Sequence, residues 1–110
     1  MMSEALRGHL DALILAVLEQ EPLHGYAVME ALQVSSGGAL DLPTGSLYPA
    51  LRRLERAGLV ESEWSTVSGR RRRTYQLTAA GSRALATERT QWRDFATMVE
   101  GVLRPGPATA

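Results

Sequence analysis

"TGSLYPALRRLERAGLVESEWSTVSGRRRRTYQLT", residues 44–78, places a helix-forming segment directly before two strand-forming segments, and this junction decides the fold. Pro49 has no N–H to donate, so it belongs in the first turn of the helix, which sets the start between Thr44 and Ser46, either of which can cap. Gly58 suits the C-cap. At about 100° per residue, Leu47, Leu51 and Leu54 share a narrow stripe. Gly45, Ser46, Pro49, Arg52, Arg53 and Arg56 fall on the opposite side, and Tyr48 and Glu55 flank the boundary. One face is made for a core and the other is basic.

Beyond Gly58, "LVESEWST" and "RTYQLT" alternate and are rich in β-branched and aromatic residues, which predicts two strands joined by a turn around Ser68 and Gly69. Arg70, Arg71, Arg72 and Arg73 then sit at the tip of the hairpin or on its returning strand. Strand alternation sends Arg70 and Arg72 to one side and Arg71 and Arg73 to the other. A basic run embedded in a strand is a poor flexible address label, so a role on the folded surface is the better reading.

Upstream, Leu6, Leu10, Leu13, Ile14, Val17 and Leu18 repeat as an amphipathic helix, with Ser3 as N-cap. Pro22 breaks it, and residues 23–33 support a second short helix with Val28, Ala31 and Leu32 on one side, closed by the loop at residues 35–38. Downstream, Thr78 can cap a long last helix reaching about Leu103, with Leu85, Trp92, Phe95, Val99 and Val102 spaced by sevens and by threes or fours. The order helix, helix, helix, hairpin, helix predicts a mainly α (α+β) winged helix-turn-helix fold with a two-stranded wing and a long C-terminal dimerisation helix. The expected division is a DNA-binding unit over 1–78, the dimerisation helix over 79–103 and a disordered tail over 104–110.

The chain has 110 residues and a formal net charge of zero, which hides an uneven distribution. Residues 1–51 carry one arginine and six acids, whereas residues 52–73 carry seven arginines against three acids. There is no lysine, so every side-chain cation apart from the histidines is a planar fork suited to phosphate or a guanine edge. The absence of cysteine excludes disulfides and thiolate metal sites. The longest apolar run, Ala12 to Leu18, falls far short of the roughly 20 residues that span a bilayer, and the first residues lack a signal-peptide plan, so a cytoplasmic protein without membrane association is expected. His9 and His24 are too few for a metal site, and no catalytic triad order or phosphate-cradling loop stands out. Neither an enzyme nor a cofactor is expected.

"EPLHGYAV", "TGSLYPALRRLERAGLV", "GRRRRTYQLTAAG" and the tryptophan in "ERTQWRDF" together resemble the PadR family of transcriptional regulators, in its short form with one C-terminal helix, over roughly Leu6 to Leu103. Arg71 and Thr74 depart from the family pattern, which often has a proline and an aromatic residue there. The resemblance implies a homodimeric repressor of a transporter or stress gene, released by a small molecule or another signal. Double-stranded DNA is the expected partner, met by Thr44, Gly45, Ser46, Tyr48, Arg52, Arg53, Arg56 and the four wing arginines. Leu6, Leu10, Leu85, Trp92, Phe95, Val99 and Val102 are expected at the dimer seam or at a site for a small aromatic or hydrophobic effector, with Trp92 suited to either. The alternative of another class is a winged-helix protein-interaction module that turns its basic face to an acidic partner.

Overall fold

The computed structural model describes residues 4–106, with side-chain surroundings from residue 9 onward. The elements in chain order are α1 (Glu4–Leu18), β1 (Leu23–His24), α2 (Gly25–Ser35), α3 (Thr44–Arg56), β2 (Val60–Val67), β3 (Arg70–Leu77) and α4 (Ala79–Leu103). The fold is a winged helix-turn-helix: α1–α3 form the helical body, β2 and β3 the wing, and α4 follows. Ser3 and residues 107–110 of the expected tail lie outside the described residues, as does the side chain of Leu6.

The apolar periodicities meet in one core. Leu10, Ile14, Leu15 and Leu18 of α1 pack with Val28 and Leu32 of α2, Leu47, Ala50, Leu51 and Leu54 of α3, Val60 and Tyr75 of the sheet and Leu85 of α4. Burying a Leu, Ile or Val side chain is worth about 1.5–3 kcal/mol, so the leucine stripe of α3 is what fixes that helix against the rest. Leu10 and Leu85, expected at a dimer seam or an effector site, are 4% and 2% exposed within the chain's own core. The reason is geometric: both lie on the faces with which α1 and α4 pack into the body.

Local chemistry explains the element ends. The His24 Nδ1 accepts from the Ala27 N–H at 3.2 Å, capping α2 in the place of the usual Ser or Asp. Gly25 follows because a β-carbon there would lie 2.6 Å from the Tyr48 ring, so the "HGY" stretch is a cap joined to a close helix–helix approach. The start of α3 differs from the sequence expectation: Pro43 is the N-cap, without a side-chain hydrogen bond, and Thr44 and Ser46 are helical. Pro49 consequently stands in the second turn. The carbonyl it leaves without an N–H partner, that of Gly45, belongs to an exposed residue, where water can serve it. At the other end, the Gly58 N–H donates to the Glu55 carbonyl and the Leu59 N–H to the Leu54 carbonyl, a Schellman closure that needs the φ of +77° at Gly58.

The wing is a hairpin with a two-residue turn, Ser68 and Gly69, both at positive φ, as a type I′ turn demands. It gains a third strand that the sequence does not announce: β1 pairs antiparallel with β3 through Leu23 opposite Tyr75 and His24 opposite Thr74, giving the order β1-β3-β2. Two residues are too short for an alternation signal.

A tight joint connects wing, α3 and α4. The Thr78 N–H donates to the Leu59 carbonyl, while its hydroxyl donates to the Gly58 carbonyl and accepts from the Gly81 N–H as the N-cap of α4. A β-carbon at Gly81 would fall 2.0 Å from the Leu59 carbonyl oxygen. Gly45, by contrast, has open space around it. Gly81→Ala is therefore expected to cost about 1–3 kcal/mol in urea unfolding by overpacking, whereas Gly45→Ala leaves stability unchanged or slightly raised. Equal stability of the two variants would contradict the joint.

Candidate nucleic-acid interface

The outer side of α3 divides into three strips, each with a different electrostatic fate. On the flank toward α1, Arg53 donates to both carboxylate oxygens of Asp11, from Nε at 3.4 Å and from Nη2. On the flank toward the wing, the Glu55 carboxylate accepts from the Ser62 hydroxyl at 2.6 Å and pairs with Arg73 at 3.5 Å, while the Arg73 Nε–H donates to Ser62 at 2.8 Å. Both pairs are partly exposed, so each adds no more than about 1 kcal/mol to stability. Their larger effect is to hold two of the arginines in place. Between these flanks run Gly45, Pro49, Arg52 and Arg56, all exposed, and Arg52 and Arg56 meet no carboxylate among the described residues.

Arg52 and Arg56 face a groove shared with the wing. It is lined by Arg52, Glu55, Arg56, Arg73 and Tyr75 and encloses about 480 Å³. Arg52 and Arg56 border it without a carboxylate partner among the described residues, whereas Arg73 and Glu55 are paired with each other at its wall, so the two α3 guanidinium groups are the ones open to an anion. Tyr75 forms its floor, and burial pushes the phenol above its ordinary value of 10.0 despite the opposing pull of the Arg73 charge. Tyr48, 38% exposed, rests its ring over Gly25 and leaves an edge open beside this strip. Thr44 and Gly45 are exposed at the helix N-terminus, and Ser46 is half-buried.

All four wing arginines are exposed on β3, on the returning strand rather than at the turn. The register places Arg71 and Arg73 on the face of Tyr75 and Ser62, toward α3, and Arg70 and Arg72 on the other face. One participant escaped the sequence reading: Trp64, opposite Arg73, with the Arg71 guanidinium 4.6 Å and the Arg73 guanidinium 5.4 Å from its ring centroid. A two-residue turn at Ser68 and Gly69 already implies this pairing, so counting back from the turn would have found it. Asp11, 42 residues from Arg53, gives no comparable signal.

The C-terminal half of α4 presents a second kind of surface. Trp92, Phe95, Met98, Val102 and Leu103 are each more than half exposed, and Val99 is half-buried. Trp92 meets His9 edge to face at 4.9 Å and leans toward Phe95 at 5.9 Å. Beside it, His9, Ala12, Leu13, Ala16, Leu85, Glu88, Arg89 and Trp92 line a mostly apolar groove of about 430 Å³ between α1 and α4. Arg89 closes one end through a two-pronged pair with Glu19, at 2.9 and 2.8 Å, which holds the Glu19 carboxyl below its usual range. No helix among the described residues is long and apolar enough to cross a membrane.

The model of the transcriptional regulator PadR-like family matches residues 14–87. The chain belongs to this family. A PadR family transcriptional regulator from Eggerthella lenta is 34% identical and superposes with a TM-score of 0.81 over 94% of this chain and 88% of that one. A PadR-like transcriptional regulator from Bacillus cereus is 28% identical, with a TM-score of 0.82 over 94% of this chain and all of that one. Among curated proteins, the transcriptional regulator Rv3488 of Mycobacterium tuberculosis is 47% identical over 57 residues, 52% of this chain and 53% of that protein. The PadR-like family is one of transcriptional regulators, so the strips of α3 and the wing belong to a transcriptional regulator.

Because the fold favours the neutral Tyr75 phenol, its stabilising contribution is full below the unfolded value near 10 and is lost as pH rises through the higher folded value. Absorbance titration of the folded protein should show Tyr75 ionising above the ordinary value of 10.0, and Tyr75→Phe should make the fold less sensitive to alkali. A Tyr75 phenol that titrates at its ordinary value in the folded protein would contradict the buried groove floor.

Proposed function

We propose that the protein is a homodimeric repressor that binds an inverted-repeat operator in double-stranded DNA and is released by a small aromatic or hydrophobic effector. The observation that carries this reading is the central strip of α3, where Arg52 and Arg56 meet no carboxylate among the described residues although both flanking strips carry paired arginines. A charge that the protein leaves uncompensated on an outward helix face is available to phosphate or to a guanine edge. Gly45 supports the same reading: nothing within reach of a β-carbon requires a glycine there, and its absent side chain lets the backbone approach a duplex closely. Thr44, Ser46 and Tyr48 stand around the same helix start and supply hydroxyls to the phosphate backbone. Arg53 is the outlying member, since reaching DNA requires it to exchange Asp11 for phosphate.

The exposed apolar row of α4 supports the dimer. Trp92, Phe95, Val99 and Val102 follow the spacing of a helical seam, and a second copy is the partner that buries the same row on both sides. A two-fold dimer presents two α3 helices and two wings, hence an inverted repeat. The groove between α1 and α4, with Trp92 at its mouth, is the site assigned to the effector, because flat apolar molecules stack on an indole and leave water in doing so. An effector there would act on the spacing of the two α3 helices through α1, whose Asp11 pairs with Arg53 of α3 and whose following turn pairs Glu19 with Arg89 of α4.

Binding to the duplex upstream of the protein's own coding sequence is the test. The wild type should protect two half-sites about one helical turn, or a multiple of it, apart. Arg52→Ala with Arg56→Ala should weaken binding and lower the log–log salt slope by about 0.9 for each phosphate no longer neutralised. Binding no better than to random duplex, or binding that the double variant leaves intact, would contradict the reading and favour an acidic protein as the partner of this face.

A further inference from the structure

The two faces of the wing differ in net charge although each carries two arginines. On the outer face Arg70 and Arg72 share the strand surface with Glu61 and Glu63, so the charges cancel. On the face toward α3, Arg71 and Arg73 stand with Ser62, Trp64, Thr66 and Tyr75, and the sheet supplies no acid. The only carboxylate the described residues place there is Glu55 from α3, and it is taken by Arg73 and Ser62. Arg71 has no carboxylate partner among the described residues. Its guanidinium lies over the indole of Trp64, 4.6 Å from the ring centroid. Trp64 is itself 54% exposed, so its size is not explained by the core.

We propose that Trp64 is a positioning residue for DNA binding, whose indole holds Arg71 as the uncompensated cation on the α3 side of the wing, so that Arg71 and not Arg73 makes the wing's phosphate contact. The inference rests on the DNA-binding reading of α3 and extends it to the wing. A guanidinium stacked on an aromatic face keeps its N–H edge free, and that edge is the part that binds two phosphate oxygens. The stacking also restricts a long side chain before the ligand arrives, which lowers the ordering cost at binding. Arg73 is poorly placed for the same role, since moving to a phosphate would strip Glu55 and Ser62 of their partner. Arg52 and Arg56 border the same side of the molecule, so one backbone strand can meet α3 and Arg71 together.

The experiment measures affinity against salt for the same upstream duplex and for random duplex, with thermal melting to confirm that each variant is folded. Arg71→Ala should lower the log–log salt slope by about 0.9, and Arg73→Ala should leave it unchanged. Trp64→Leu should weaken binding about threefold, as expected for removal of one exposed cation–π interaction, and Trp64→Phe should restore most of it. Trp64→Leu should have no further effect once Arg71 is alanine, because the indole acts through that side chain. A slope that falls with Arg73→Ala and not with Arg71→Ala overturns the proposal, as does an equal effect of Trp64→Leu with and without Arg71. If the wild type prefers the upstream duplex and responds to the α3 double variant, either result overturns the wing assignment alone. Failure of the wild type to prefer that duplex overturns the DNA reading and the wing assignment with it.

Discussion

The approach of Gly81 to the Leu59 carbonyl is the constraint on which the working geometry depends. Within a few residues, α3 ends, β2 begins, β3 ends and α4 starts, and Thr78 bonds to Gly58, Leu59 and Gly81 at that crossing. The closeness of these backbones leaves no room for a side chain at position 81. With this joint closed, the wing cannot swing freely relative to α3, and α4 leaves the body in a fixed direction with Leu85 in the core and Trp92 outside it. The placement of the α3 arginines relative to those of the wing follows from that arrangement.

Ion pairing then sorts chemically identical side chains into different roles. Asp11 restrains Arg53, Glu55 restrains Arg73, and Glu19, in the turn after α1, restrains Arg89, while Arg70 and Arg72 share a face of the wing with Glu61 and Glu63 without pairing to them. Arg52 and Arg56 on α3 and Arg71 on the α3-facing side of the wing meet no carboxylate among the described residues. A chain of zero net charge thereby displays a local cationic surface without carrying a large excess of basic residues. Asp11 of α1 holds Arg53 of α3, and Glu19, in the turn that follows α1, holds Arg89 of α4.

Most of the fold is legible in residues whose signals are local. The leucine stripe of α3, the cap at Thr78, the closure at Gly58 and the hairpin around Ser68 and Gly69 need only neighbours within a turn or a strand. The misplaced features are those that tertiary packing decides. Pro43 takes the cap of α3 ahead of two better capping side chains, and Pro49 sits a turn deeper than its missing N–H suggests. Leu10 and Leu85 are buried within the body, and apolar spacing alone does not say which neighbour covers a helix face. The outer strip of α3 could be read from its periodicity, whereas the pairing that leaves Arg52 and Arg56 alone depends on Asp11 and Ser62, distant in sequence. Trp64 lies between these cases: its partners follow from the hairpin register once the turn is set.

The central claim is that the outer strip of α3 and the α3-facing side of the wing form a single DNA-binding surface, separate from α4. The two tryptophans report on it directly, since one lies on the wing and the other on α4. In a proton–nitrogen NMR titration with the upstream duplex, the indole signal of Trp64 and the amide of Gly45 should shift together and by more than the indole of Trp92. A shift of Trp92 with Trp64 and Gly45 unmoved would contradict the account.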